Sequence, residues 1–87
     1  MARYELRFKP SVAKDLRDIP SQDVRRVLAR IETLRDDPRP LGSEKLSAQE
    51  RYRVHQGNYR ILYAIRDAEL TVEVVKVGHR RDVYREA

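Results

Sequence analysis

Apolar and polar side chains alternate with a period of two on both sides of Gly57 and Asn58, in the stretch Tyr52 to Tyr63, YRVHQGNYRILY. Gly followed by Asn between two such runs predicts a two-residue type II′ hairpin, because glycine takes a positive φ at the first central position without steric cost. That turn pairs Gln56 with Tyr59, His55 with Arg60, Val54 with Ile61, Arg53 with Leu62, and Tyr52 with Tyr63. Tyr52, Val54, Ile61, Tyr63 and Ile65 then share one face, while Arg53, His55 and Arg60 share the other. A register one residue away would mix the two sets.

Residues 3 to 9 also alternate, with Tyr4, Leu6 and Phe8 on one side, as in a half-buried strand. Ser11 reads as an N-cap, and Val12, Leu16 and Ile19 fall at helical spacing, so a short helix runs to about Ile19 before Pro20 ends it. Ser21 reads as the next cap. Val24, Val27, Leu28, Ile31 and Leu34 form the apolar stripe of a second helix, which Pro38 and Pro40 close off. Residues 36 to 50, DDPRPLGSEKLSAQE, read as a loop anchored to the core by Leu41 and Leu46. The β-branched run Leu70 to Val77 is the last strand, broken by Gly78. A tight turn at Asp67 and Ala68 pairs Ile65 with Leu70, Tyr63 with Val72, and Ile61 with Val74. The order β-α-α-β-β-β predicts an α+β fold, a mainly antiparallel sheet with a helical hairpin packed on one face. The partner of the first strand is too distant in sequence to be read.

The 87 residues make one domain with room for one small core. A formal charge of +5 favours an anionic partner, nucleic acid before acidic lipid. The absence of Cys removes disulfides, thiolate nucleophiles and cysteine-ligated metals, and the two His lack H-x-x-x-H spacing, so neither a metal nor a small-molecule cofactor is expected. MARYELRF lacks the apolar core of a signal peptide and no run reaches membrane-spanning length, which makes the cytoplasm the expected location, with no membrane partner.

The basic face carries the candidate chemistry. Cations side by side on a sheet cost stability, so His55 across from Arg60 reads as a pair awaiting an anion. The last strand delivers His79, Arg80, Arg81 and Tyr84 toward the same end. Guanidinium groups donate planar forks to phosphate oxygens and stay charged at working pH, which assigns Arg51, Arg53 and Arg60 to phosphate holding. Cleavage would also need groups that move protons near neutrality, and imidazole is the side chain suited to that. His79 reads as a phosphate contact or a cap. RNA is the favoured substrate, since its 2′-hydroxyl is a built-in nucleophile and no metal is required.

The segments YRVHQGNYRILYAI and VEVVKVGHRRDVYR, in this order of elements, resemble the RelE branch of the RelE/ParE toxin superfamily over roughly residues 3 to 85. The resemblance implies a ribosome-dependent endoribonuclease that inhibits translation by cutting mRNA in the ribosomal A site to a 2′,3′-cyclic phosphate. It also implies a neutralising RelB-like antitoxin. By the same resemblance Arg60 and Arg80 are the catalytic phosphate arginines and Tyr84 orients the reacting nucleotide. The family's paired lysines before the turn are replaced here by Arg53 and His55, and the segment between Gly78 and Tyr84 is shorter. His55 is thus proton donor or base, and Arg80 and Arg81 remain alternatives for one role. Two other readings stand beside this one: a ParE-like inhibitor of DNA gyrase that acts by binding alone, and an inactive nucleic-acid or antitoxin-binding module.

Overall fold

The computed structural model describes residues 3–46 and 50–79. Five strands form one sheet in the order β1-β5-β4-β3-β2. They are β1 Glu5–Phe8, β2 Glu44–Lys45, β3 Arg51–Gln56, β4 Tyr59–Arg66 and β5 Thr71–His79, with helices α1 Pro10–Arg17 and α2 Ser21–Thr33 between the first two. β1 lies parallel to β5 and every other pairing is antiparallel, so the sheet is mixed. The α+β class and the element order match the reading from sequence, with the two-residue β2 added inside the predicted loop.

The β3–β4 hairpin has the predicted register at every pair from Tyr52↔Tyr63 to Gln56↔Tyr59. Gly57 has φ +60°, and Asn58 is not among the positive-φ residues, as a type II′ turn requires. Val54, Ile61, Tyr63 and Ile65 are buried together with Val72, Val74 and Val77 of β5 under the helices. Val12, Val27, Ile31 and Leu34 complete this core. Leu28 departs from its expected place: it is 39% exposed, at the margin of the stripe.

Neither serine is an N-cap. Lys9 caps α1, with Pro10 in its first turn, and Pro20 caps α2; neither cap makes a side-chain hydrogen bond. Proline suits the first helical position because its missing N–H would be unsatisfied there anyway. At α2 the Pro20 carbonyl accepts the Asp23 and Val24 amides at 2.9 and 3.0 Å.

The predicted anchors Leu41 and Leu46 do not reach the core, being 101% and 42% exposed. Polar contacts hold this loop instead. The Tyr63 hydroxyl, its pKa pushed up to about 12 mainly by burial, donates to the Pro38 carbonyl at 2.8 Å. Arg39 stacks over Tyr52 at 5.2 Å and donates to the Tyr52 hydroxyl, Glu50 and both oxygens of Asp67. Tyr4, just ahead of β1, donates to Asp67 as well, at 2.6 Å, so one carboxylate links the entry to β1, the loop and the β4–β5 turn.

The β4–β5 register also differs from the expected one. Asp67–Glu69 form a 3-10 turn, with Leu70 left-handed at φ +50°, and the strands pair Ile65 with Val72 and Tyr63 with Val74. A bulge follows. Leu62 pairs with Lys76 and Ile61 with Val77, leaving Val75 as the extra residue. Gly78 does not end the strand, which continues through it to His79. Since β1 stops opposite Val74, α1 supplies an acceptor to the edge beyond it. Asp15 Oδ2 accepts the Val77 amide at 3.1 Å while Oδ1 lies 3.6 Å from Lys76.

Two stability measurements check this packing. Ile31→Ala should cost about 2–5 kcal/mol in urea unfolding, whereas Leu41→Ala should change stability by less than about 0.5 kcal/mol. The hydrogen bonds from Arg39 and then Tyr4 hold the Asp67 carboxyl down to about 2, from its ordinary 3.8. A depressed folded-state pKa stabilises the fold above the ordinary value and ceases to do so as pH falls toward the folded one. Stability should therefore decline between about pH 4 and pH 2, and Asp67→Asn should flatten that decline in acid titrations of the melting temperature.

Candidate phosphate-binding face

Because the hairpin turn fixes the parity of β3 and β4, Arg51, Arg53 and His55 alternate away from the core and are joined there by Arg60. His55 and Arg60 are direct partners one step from the turn, and Gly78 pairs with Arg60 from the other side. Arg60 thus has an imidazole-bearing residue on one flank and a residue without a side chain on the other. It lies off the core face, as predicted, yet is only 9% exposed. Arg53 is similarly enclosed, its side chain 14% exposed, whereas His55 and Arg51 are open to solvent.

The sequence reading missed Glu44. On β2 it pairs with Arg53, and its carboxylate accepts a hydrogen bond from Arg53 Nη2. That bond, followed by the charge of Arg53 and then those of His55 and Arg60, holds the Glu44 carboxyl below its usual range. One acid therefore shares a face of the sheet with Arg53, His55 and Arg60 and is bonded to the first of them. A two-residue strand is too short for any periodicity to announce, and the surrounding Pro, Gly and Ser hid it.

His79 does not join this group. The bulge at Val75 shifts the end of β5 by one residue, and a one-residue shift exchanges the two faces. Val77 consequently enters the core and His79 sits on the helix side. There its ring meets Tyr59 edge-on, with centroids 6.0 Å apart. Asp23, Arg26, Gln56, Gly57, Asn58, Tyr59 and His79 line a cavity of about 320 Å³, with the Tyr59 hydroxyl donating to Asp23 at 3.3 Å. A signal for the bulge was present in the sequence: the adjacent Val74 and Val75 interrupt the two-residue alternation of Val72 and Val74, and it resumes out of step at Val77. Arg80, Arg81 and Tyr84 lie outside the described residues. Among the described residues no His, Cys, Asp and Glu side chains gather in a group able to hold a metal, and no helix is long and apolar enough to cross a membrane.

A small mixed sheet with helices on one face and basic residues on the other defines an α+β class but not an activity, and comparison with known proteins gives the family. The family described as "ParE toxin of type II toxin-antitoxin system, parDE" matches residues 6–84. Toxin RelG of Mycobacterium tuberculosis is 31% identical over 88 residues, spanning 94% of this chain and 97% of RelG. The toxin-antitoxin complex RelBE2 of the same organism contains a chain similar in fold, with TM-score 0.81, 28% identity, and 92% and 94% of the two chains covered. The archaeal RelE-RelB complex of Pyrococcus horikoshii gives 0.80 at 25% identity, with 90% and 96% covered. The chain belongs to the RelE/ParE superfamily of toxins from type II toxin-antitoxin systems. Within that superfamily its relatives are RelE-like.

The exchange of faces at the bulge has a direct spectroscopic consequence. Proton NMR should show cross-relaxation between the His79 and Tyr59 rings and none between the two imidazoles, whereas contact between His79 and His55 would refute the assigned register.

Proposed function

We propose that the chain is a metal-independent endoribonuclease toxin that cuts ribosome-bound mRNA, with the phosphodiester held on the face bearing Arg53, His55 and Arg60. The observation that carries this reading is the His55↔Arg60 pair, a proton-transferring side chain beside a phosphate-binding fork. Its chemistry balances without a cofactor. The 2′-oxygen attacks phosphorus as its proton passes to a base, the bond to the 5′-oxygen breaks, and that oxygen takes up a proton. A 2′,3′-cyclic phosphate and a 5′-hydroxyl result. His55 serves as donor or base, while Arg53 and Arg60 neutralise the charge that develops on the equatorial oxygens. Arg53 cannot share the proton transfer, since a guanidinium stays protonated.

Arg80, Arg81 and Tyr84 enter this reading through the family likeness, the arginines as further phosphate contacts and the tyrosine as the group that orients the nucleotide. Arg51, exposed two residues before Arg53, suits a flanking phosphate. His79, on the helix face, is not assigned to the scissile phosphate. A RelB-like antitoxin is the proposed partner, supported by the RelBE2 and archaeal RelE-RelB complexes among the structural relatives. The ribosome and its mRNA are the proposed targets, which places the work in the cytoplasm.

The matched family is named for ParE, so gyrase inhibition by binding is the competing reading. Expression without antitoxin, followed by mapping of mRNA 5′ ends, separates the two. Codon-phased cuts with cyclic phosphate termini are expected; intact mRNA with induction of the DNA-damage response would sink the nuclease. Arg60→Lys keeps the charge but loses the fork and should slow cleavage by at least about 100-fold, with the melting temperature little changed. His55→Asn should lower the single-turnover rate by roughly 10²–10⁴-fold while RNA binding persists.

A further inference from the structure

We propose that Glu44 is a positioning residue of the basic face, whose carboxylate holds the Arg53 guanidinium and takes, in the absence of nucleic acid, the place that a phosphodiester occupies among Arg53, His55 and Arg60. The inference rests on the phosphodiester reading given above and deepens it. Three observations support it. First, β2 contributes only Glu44 and Lys45 to the sheet, and of these Glu44 pairs with Arg53 in register and bonds to it through the side chain. Second, the Arg53 side chain is 14% exposed and that of Glu44 55%, so the contact fixes the enclosed guanidinium from its solvent side. Third, the strand registers set Glu44 on the same face of the sheet as His55 and Arg60, which pair with each other two residues along β3 from Arg53.

Cations gathered on one face repel one another, and an acid placed among them offsets that repulsion until a better anion arrives. A carboxylate and a phosphodiester each present two oxygens to a guanidinium fork, so both compete for the Arg53 donors. Two consequences follow. Substrate binding must displace Glu44 or share Arg53 with it, and removal of the acid should favour the anion. The neighbouring Lys45 bonds to Glu50, on the side away from this cluster, and serves as an internal control.

The test uses a 2′-O-methylated RNA trinucleotide, which carries phosphodiesters but no nucleophile, titrated into the full chain by calorimetry at low salt. Glu44→Gln keeps the shape and loses the charge, and should bind about threefold to tenfold more tightly than the unaltered protein. Glu44→Asp should restore the unaltered affinity, and Lys45→Gln should bind no more tightly. If the side chain only held β2 in place, Glu44→Gln would bind equally or more weakly, and that result overturns the proposal. Should Glu44→Gln fail to fold, the unaltered protein decides. Its Arg53 Nε–H resonance must move as the trinucleotide is added, and a stationary signal at saturation overturns the proposal. Absence of binding by every form, at millimolar trinucleotide, refutes the phosphodiester reading itself. Binding by the unaltered protein with no gain in Glu44→Gln refutes only the role of Glu44.

Discussion

The whole arrangement depends on one backbone constraint, the positive φ at Gly57. A two-residue turn with that geometry sets the count between the two strands, and the count decides which side chains share a face. Val54, Ile61 and Tyr63 are thereby committed to the core, and Arg53, His55 and Arg60 to the other side. The core and the candidate site are two consequences of the same register. A slip that dissolved the site would also turn valine and isoleucine out to water, so the hydrophobic effect that stabilises the fold also holds the basic residues together.

The opposite end of the sheet uses parity differently. β5 begins in step with β4, loses step at Val75 and ends with its faces exchanged. The bulge sends Val77 into the core and leaves Gly78 across from Arg60, while His79 turns toward Tyr59. Basic residues that look equivalent along the sequence are therefore sorted onto two faces. One holds an acid among arginines and a histidine. The other holds an aromatic edge contact beside a mixed polar cavity.

Sequence periodicity made the hairpin legible because each of its rungs repeats the same two-residue test, and the test had one consistent answer. The stripe of α2 was legible for the same reason, apart from Leu28 at its margin. What escaped the reading had no periodic signature. Glu44 lies in a strand of two residues; the turn after β4 is a left-handed Leu70 with no glycine to mark it; and β1 finds its parallel partner across most of the chain. Proline at the helix starts also displaced the expected serine caps, because a preset φ at Pro10 and an accepting carbonyl at Pro20 do the work a hydroxyl would have done. The loop residues Leu41 and Leu46 misled because an apolar side chain between turn formers was read as an anchor, where Arg39 and Tyr63 make polar ties instead.

The most direct measurement is a crystal structure of the full chain bound to a non-cleavable RNA fragment. A phosphate within hydrogen-bonding distance of both His55 and Arg60, on the face away from the helices, is the predicted result. A fragment seated instead in the cavity lined by Asp23, Arg26 and His79, with the His55 face bare, would contradict it.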